Sequence, residues 1–290
     1  MAVEAEQQLR VYVEYFRDLG VHDFYRRGEQ VVAAEHAAST QETAHVPQDA
    51  SAVRTTPAPP AEPAAASPSG LPDFLEPPIT RLVSFNDLEP PPSERVPAPE
   101  KASALLAVQQ EIGDCTRCPL AYLGRHKIVF GDGNPNARLM FVGEGPGADE
   151  DAQGLPFVGK AGQLLNNMIA AMGLNREEVY IANIVKCRPP SNRVPEPVEA
   201  NVCTQFLLRQ MDIVQPEIVV ALGATAALYL LGVKRSLSAL RGHWHTCRGA
   251  KLAVTYHPAF LLRDPRHKAE AWKDLQMVMA EMGLKPPAKN

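Results

Sequence analysis

The 290-residue chain contains no apolar run of 18 residues or more, which excludes a membrane-spanning helix. Its first ten residues, MAVEAEQQLR, lack the basic-then-apolar order of a secretory signal, so a cytoplasmic protein is expected. Cysteine is scarce: five in a cytosolic chain argue against a disulfide framework and leave metal binding, redox chemistry or core packing. Two phosphate-binding signatures are also missing. No Gly-x-Gly-x-x-Gly fingerprint occurs, and no glycine loop closes on Gly-Lys-Ser/Thr, so neither a dinucleotide site nor a P-loop is indicated.

Positive charge is scarce in the first hundred residues. They hold 7 Lys+Arg against 16 Asp+Glu, a net −9, while residues 101–290 hold 22 against 17, a net +5. A basic module joined to an acidic arm suits a polyanionic ligand on the module alone. Within the arm, residues 1–36 read as a helical segment, with Leu9, Tyr12, Val13, Phe16 and Leu19 at helical spacing. That segment is too small for a core of its own, so it docks on the main domain or binds a protein partner. Residues 37–100 read as a disordered Pro/Ala-rich linker: residues 39–100 carry 14 of the 27 prolines and too little apolar surface to offset the entropy of ordering.

Residues 101–290 alternate apolar runs of strand length with helical patterns. Leu139–Val142, Val179–Val185, Glu217–Leu222 and Lys251–Thr255 read as buried strands. Residues 102–112, 160–172, 197–214, 224–231 and 266–282 read as helices. This alternation predicts a three-layer α/β/α domain around a central four-stranded parallel sheet. In such sheets ligands bind at the carboxyl ends of the strands. Those ends carry the loop Gly143-Glu144-Gly145-Pro146-Gly147, then Asn183, Gly223 and His257.

Each of these residues has an ordinary reading beside a chemical one. Phe157, on the Gly/Pro-rich loop after the first strand, is either a core anchor or a stacking platform for a flat ring. Asn183 interrupts an apolar strand; its amide is either satisfied by neighbouring backbone or reads a ligand edge with a donor and an acceptor side by side. Cys115 and Cys118, in Cys-x-x-Cys-Pro, join Cys187 and Cys203 as a set of four. Four thiolates suit Zn²⁺ or a [4Fe–4S] cluster, and spacing does not choose between them. Cys247 stands apart.

Taken together these motifs resemble the family 4 uracil-DNA glycosylases. The resemblance runs from about Ala102 to Met282. It rests on Gly143–Gly147, on Leu155-Pro156-Phe157-Val158-Gly159-Lys160-Ala161-Gly162, on Asn183 with Lys186-Cys187-Arg188-Pro189-Pro190, on the four cysteines, and on His257-Pro258-Ala259. The family commonly has alanine at the place of Gly145, a small-for-small difference. The resemblance implies a base-excision repair enzyme that flips uracil out of DNA and hydrolyses its glycosidic bond, working as a monomer on nucleoid DNA. It also implies a [4Fe–4S] cluster rather than zinc on Cys115, Cys118, Cys187 and Cys203. Phe157, Asn183, His257 and the backbone near Gly145 are then the uracil-binding groups. His257 stabilises the departing base, and Glu144 and Glu150 are the carboxylates available to orient water or face the sugar cation. Lys186, Arg188, Arg193 and Arg263 are the residues expected to meet DNA phosphates. Two rival readings use the same residues: a module that binds uracil or single-stranded nucleic acid without cleaving it, and a flavodoxin-like redox protein working through Cys115 and Cys118.

Overall fold

The computed structural model describes residues 91–92 and 94–285. The expected N-terminal helix and most of the linker, with the proposed partner contact, lie outside the described residues. What is described is a mixed six-stranded sheet with helices on both faces. Its strands are β1 (Asp132–Gly133), β2 (Leu139–Gly143), β3 (Tyr180–Asn183), β4 (Ile218–Leu222), β5 (His245–Cys247) and β6 (Ala250–Thr255), in the spatial order β1-β3-β2-β4-β6-β5. The inner strands β3, β2, β4 and β6 run parallel, and β1 and β5 pair antiparallel at the two edges.

The sheet is thus two strands wider than the sequence pattern indicates. Asp132–Gly133 has no apolar alternation to announce it, and His245–Cys247 offers three residues of mixed polarity. Both are strands because a longer neighbour supplies the pairing. β3 is shorter than its apolar run, but its chain direction persists: the N–H groups of Ile184 and Val185 still donate to the carbonyls of Gly143 and Glu144 at 3.0 and 3.2 Å.

The helices are α1 (Lys101–Ile112), α2 (Ala148–Gln153), α3 (Lys160–Ala171), α4 (Pro197–Val214), α5 (Ala224–Leu231), α6 (Leu237–Leu240), α7 (Pro258–Arg263) and α8 (Lys268–Met282). Side chains of a strand alternate between faces, and β2 divides accordingly. Met140 and Val142 enter the core formed with α1, α4 and α5, which contains Leu105, Val108, Phe206, Leu207 and Leu230. Leu139 and Phe141 enter the core formed with α3 and α8, which contains Leu165, Ile169, Leu275 and Met279. A central strand covered on both faces is apolar at consecutive positions, and all five residues of β2 are buried. α1 is secured at its start by Lys101, whose Nζ donates to the terminal carbonyl of α4, Val214, at 2.8 Å.

The chain leaves β2 to form β3 on one side and β4 and β6 on the other. The reversal opens a crevice at the carboxyl ends of β2 and β4, where an open α/β sheet places its ligand.

Candidate active site

Four strand ends deliver the site. Gly143, the last residue of β2, is in register with Asn183, the last residue of β3. A Cβ on Gly143 would overlap Asn183 Oδ1 and stand 2.6 Å from Phe157 Cζ. Only glycine lets the amide and the aromatic ring approach each other across the strand end. Asn183 is 1 % exposed, and its Oδ1 has no hydrogen-bond partner. An orphaned buried acceptor costs about 1–3 kcal/mol, a cost a ligand N–H would remove.

Phe157 is buried at the same point, and its backbone adopts φ 52°. A positive φ on a bulky residue is a steric outlier. Its ring lies 5.6 Å from the imidazole of His257, centroid to centroid, at an interplanar angle of 34°.

His257 follows β6 and caps α7. Its Nδ1 accepts a hydrogen bond from the N–H of Ala259 at 3.1 Å. A nitrogen that accepts from a backbone amide carries no proton, so in the neutral ring the proton resides on Nε2. His257 keeps partial access to solvent, but the protein packed around it, helped by the charge of Arg263, lowers its pKa to about 4. At neutral pH the ring is an uncharged Nε2–H donor. Gly223, at φ 92° after β4, lets that chain pass His257: a Cβ there would come within 3.0 Å of His257 Cβ.

Glu144 is half-buried, and desolvation raises its pKa, with the hydrogen bond from Thr225 and the charge of Arg263 opposing the rise. Thr225 lies in the first turn of α5, so this bond ties the loop after β2 to the helix after β4. Gly145 packs tightly: a Cβ would stand 2.7 Å from Val185 Cγ2.

Several expected roles do not fit the geometry. Glu150 is buried, and both its oxygens are occupied: Oε2 accepts from Gly147 N at 3.0 Å, and Oε1 from Val158 N at 2.9 Å and Gly159 N at 3.0 Å. A carboxylate holding three backbone amides is a brace, not a group free to orient water. Lys186 cannot meet a phosphate. It is 1 % exposed, and its Nζ donates to Asn183 O at 2.9 Å and Gln210 Oε1 at 2.6 Å, beneath the site. Burial lowers its pKa to about 7. Arg193 is engaged in a fork with the buried carboxylate of Glu199, at 2.8 and 2.6 Å. Arg188 is half-buried and donates to Asn192 Oδ1 at 2.8 Å. Of the four basic residues, Arg263 is exposed and acts electrostatically on both His257 and Glu144.

Two residues at the site carry no sequence signal: Thr225, and Arg176, which reaches the carbonyls of Pro156 and Phe157. A threonine two positions after a strand-ending glycine is the nearest thing to a clue for the first. For the second there is none.

The four cysteines converge on a separate cavity lined also by Ile112, Ile128, Val202 and Phe206. Zinc bonded at about 2.3 Å to each of four sulfurs requires them about 3.8 Å apart. Among the described residues, no three His, Cys, Asp or Glu side chains are grouped to hold one metal ion. Four sulfurs around one largely apolar cavity are a donor set that either zinc or an iron–sulfur cluster accepts. N–H donors already face the sulfurs: Arg125 Nη1 to Cys187 at 3.3 Å, Lys186 N to Cys203 at 3.2 Å and Arg117 Nη1 to Cys115 at 3.5 Å. Cys247 is buried elsewhere, donating to Leu230 O at 3.4 Å.

The sequence has counterparts among known proteins. The family model of the uracil DNA glycosylase superfamily matches residues 130–276, half of the chain. The chain belongs to that superfamily. Within it, the chain is 48% identical over 161 residues to the type-4 uracil-DNA glycosylase of Thermotoga maritima, covering 54% of this chain and 82% of that protein. It is 38% identical over 188 residues to the type-4 enzyme of Archaeoglobus fulgidus, 62% of this chain and 94% of that protein. To that of Saccharolobus solfataricus it is 40% identical over 188 residues, 62% and 87%. These place the chain in the type-4 group.

Proposed function

We propose that the protein removes uracil from DNA by hydrolysing the N1–C1′ bond and leaves an abasic site for base excision repair. The observation that carries this reading is the buried, unpartnered Oδ1 of Asn183, set beside the ring of Phe157 and the uncharged imidazole of His257. A base inside a duplex is inaccessible, so the nucleotide must rotate out of the stack into the crevice. Phe157 then stacks on the uracil ring. Asn183 Oδ1 accepts from uracil N3–H, and its amide nitrogen donates to O4. Cytosine reverses that pattern, with an acceptor at N3 and a donor at C4, and would leave two buried groups opposed.

As the glycosidic bond lengthens, its electron pair moves onto the uracil ring and gathers at O2, while C1′ becomes cationic. His257 Nε2–H donates to O2. Because the ring is already neutral and held by Ala259 N–H, this donor is in place before charge develops and needs no reorganisation. Glu144 is the remaining carboxylate with free capacity at the site. It faces the sugar side and orients the water whose oxygen bonds to C1′, a proton passing finally to the uracil anion. Glu150 keeps the loop in shape, and Arg263 meets a phosphate of the DNA strand.

Cys115, Cys118, Cys187 and Cys203 would hold a [4Fe–4S] cluster, which supplies a structural tie between the 115–118 turn, the segment after β3 and α4. On this reading the protein works in the cytoplasm, as a monomer, on uracil-containing DNA. The acidic N-terminal arm serves as a tether to a protein partner.

The decisive measurement uses an end-labelled oligonucleotide with one uracil, treated with alkali after incubation. Scission at the uracil is expected and should survive EDTA. Binding without scission, on both single- and double-stranded substrates, would favour a non-cleaving module instead.

A further inference from the structure

We infer that Arg176 is a positioning residue for uracil recognition, and that with Glu150 it forms a two-sided clamp that presets the Phe157 platform; the inference rests on the uracil reading above. Phe157 holds φ 52°, a strained conformation for a non-glycine residue that persists only where the surroundings over-determine it. The surroundings do so in a particular way. On one side Glu150 takes the N–H groups of Val158 and Gly159 and, through its other oxygen, the N–H of Gly147. That carboxylate therefore ties the Phe157 loop to the Gly143–Gly147 loop.

On the opposite side the guanidinium of Arg176 takes the carbonyls. Nη2 donates to Pro156 O at 2.6 Å, and Nη1 donates to Phe157 O at 3.1 Å. The guanidinium is itself aimed by Asn166 Oδ1 at 3.0 Å, from α3, and by Asp132 Oδ2 at 3.4 Å, from β1. Its side chain is 18% exposed. A carboxylate accepting from the amides and a guanidinium donating to the carbonyls leave the loop few free backbone groups with which to relax into a different turn. Gly162 completes the arrangement, since a Cβ there would overlap the carbonyl of Phe157. The short edge strand β1 acquires a purpose, because it brings Asp132 to this guanidinium.

A flipped base visits the crevice briefly, and a platform that must reorganise on each visit loses rate. Holding the ring in its bound geometry beforehand removes that ordering cost. Arginine suits the position because its planar fork bonds two carbonyls at once and its charge is permanent; lysine is a point donor and reaches one.

The test is a double-mutant cycle in the full-length protein, combining Arg176→Ala and Arg176→Lys with Phe157→Ala. Single-turnover excision is measured against substrate concentration, together with inhibition by free uracil and thermal stability. Arg176→Ala should slow excision on the order of 10–10²-fold and weaken uracil inhibition, with Arg176→Lys intermediate. Millimolar guanidinium should restore part of the Arg176→Ala loss. In the Phe157→Ala background, either change at Arg176 should have little further effect, because both act through one ring. Multiplying losses would overturn the clamp, as would an Arg176→Lys variant with lowered thermal stability but unchanged excision and uracil inhibition. Should Arg176→Ala not fold, the lysine arm of the cycle carries the same decision. A wild-type protein inactive on uracil-containing DNA would refute the uracil reading itself, a separate outcome from multiplying losses in an active enzyme.

Discussion

His257→Asn isolates the oxyanion donor from the fold. His257 has two roles: Nδ1 caps α7 by accepting from Ala259 N–H, and Nε2–H is the donor proposed for uracil O2. Asparagine is among the best N-caps, so its side-chain oxygen keeps the first role, while its amide falls short of the second. Loss of one oxyanion donor costs about 2.7–4 kcal/mol of barrier, or roughly 10²–10³ in rate. Single-turnover excision on a one-uracil oligonucleotide should fall by that factor, with DNA affinity and thermal stability at pH 8 near wild type. The same histidine predicts a pH signature. Its native pKa of about 4 lies below the ordinary 6.5 because burial disfavours the charged ring. Between these values the unfolded chain binds a proton that the native chain does not. The contribution is therefore complete above pH 6.5 and is lost as pH falls toward 4, an integral of about 3 kcal/mol. Denaturant unfolding from pH 8 to pH 4 should show this loss in wild type and lack that component in His257→Asn. The wild-type rate should show no inflection near pH 6.5 from this group. An excision rate in His257→Asn within a few-fold of wild type, or a His257 ring titrating near 6.5 by NMR, would refute the argument.

The other predictions follow from the same geometry. Asn183→Asp replaces the donor to O4 with an acceptor; uracil excision should drop at least tenfold, and comparison of uracil- and cytosine-containing strands at pH 8 shows whether the amide sets the choice of base. Cys187→Ala or Cys203→Ala should lower iron content and visible absorption, while Cys247→Ala should leave both unchanged, because its sulfur lies outside the four-cysteine cavity; stoichiometric zinc without iron in anaerobically purified protein would overturn the cluster. Removing residues 1–90 should leave the single-turnover rate unchanged, whereas a cut at residue 100 also removes the carbonyl of Ala98 that accepts from Asn136. If the acidic arm competes with DNA, the shorter protein binds DNA more tightly at low salt, where screening is weakest, and a salt series on both proteins resolves this.

The alternation of strands and helices, the parallel core, the glycine loop at the end of β2 and the candidate ligands are all legible in the order of the residues. These are local properties: apolar periodicity records which faces are covered, and a glycine run records where backbone must pass closely. The sequence also carried the family resemblance, because most of the motifs that define it are short contiguous segments. What it did not contain was who partners whom. Lys186, Arg188 and Arg193 are basic letters beside a cysteine motif, and only tertiary structure decided that the first lies buried under Asn183 and the third is spent on Glu199. Glu150 and Glu144 are two carboxylates six residues apart; packing turned one into a brace for three amides and left the other half-buried, tied to Thr225 and with its pKa raised by desolvation. Arg176 was silent because its partners, Pro156, Phe157, Asn166 and Asp132, are 10 to 44 residues away in the chain. A side chain's charge is written in the sequence, but the work that charge does is set by desolvation and by the groups the fold places against it.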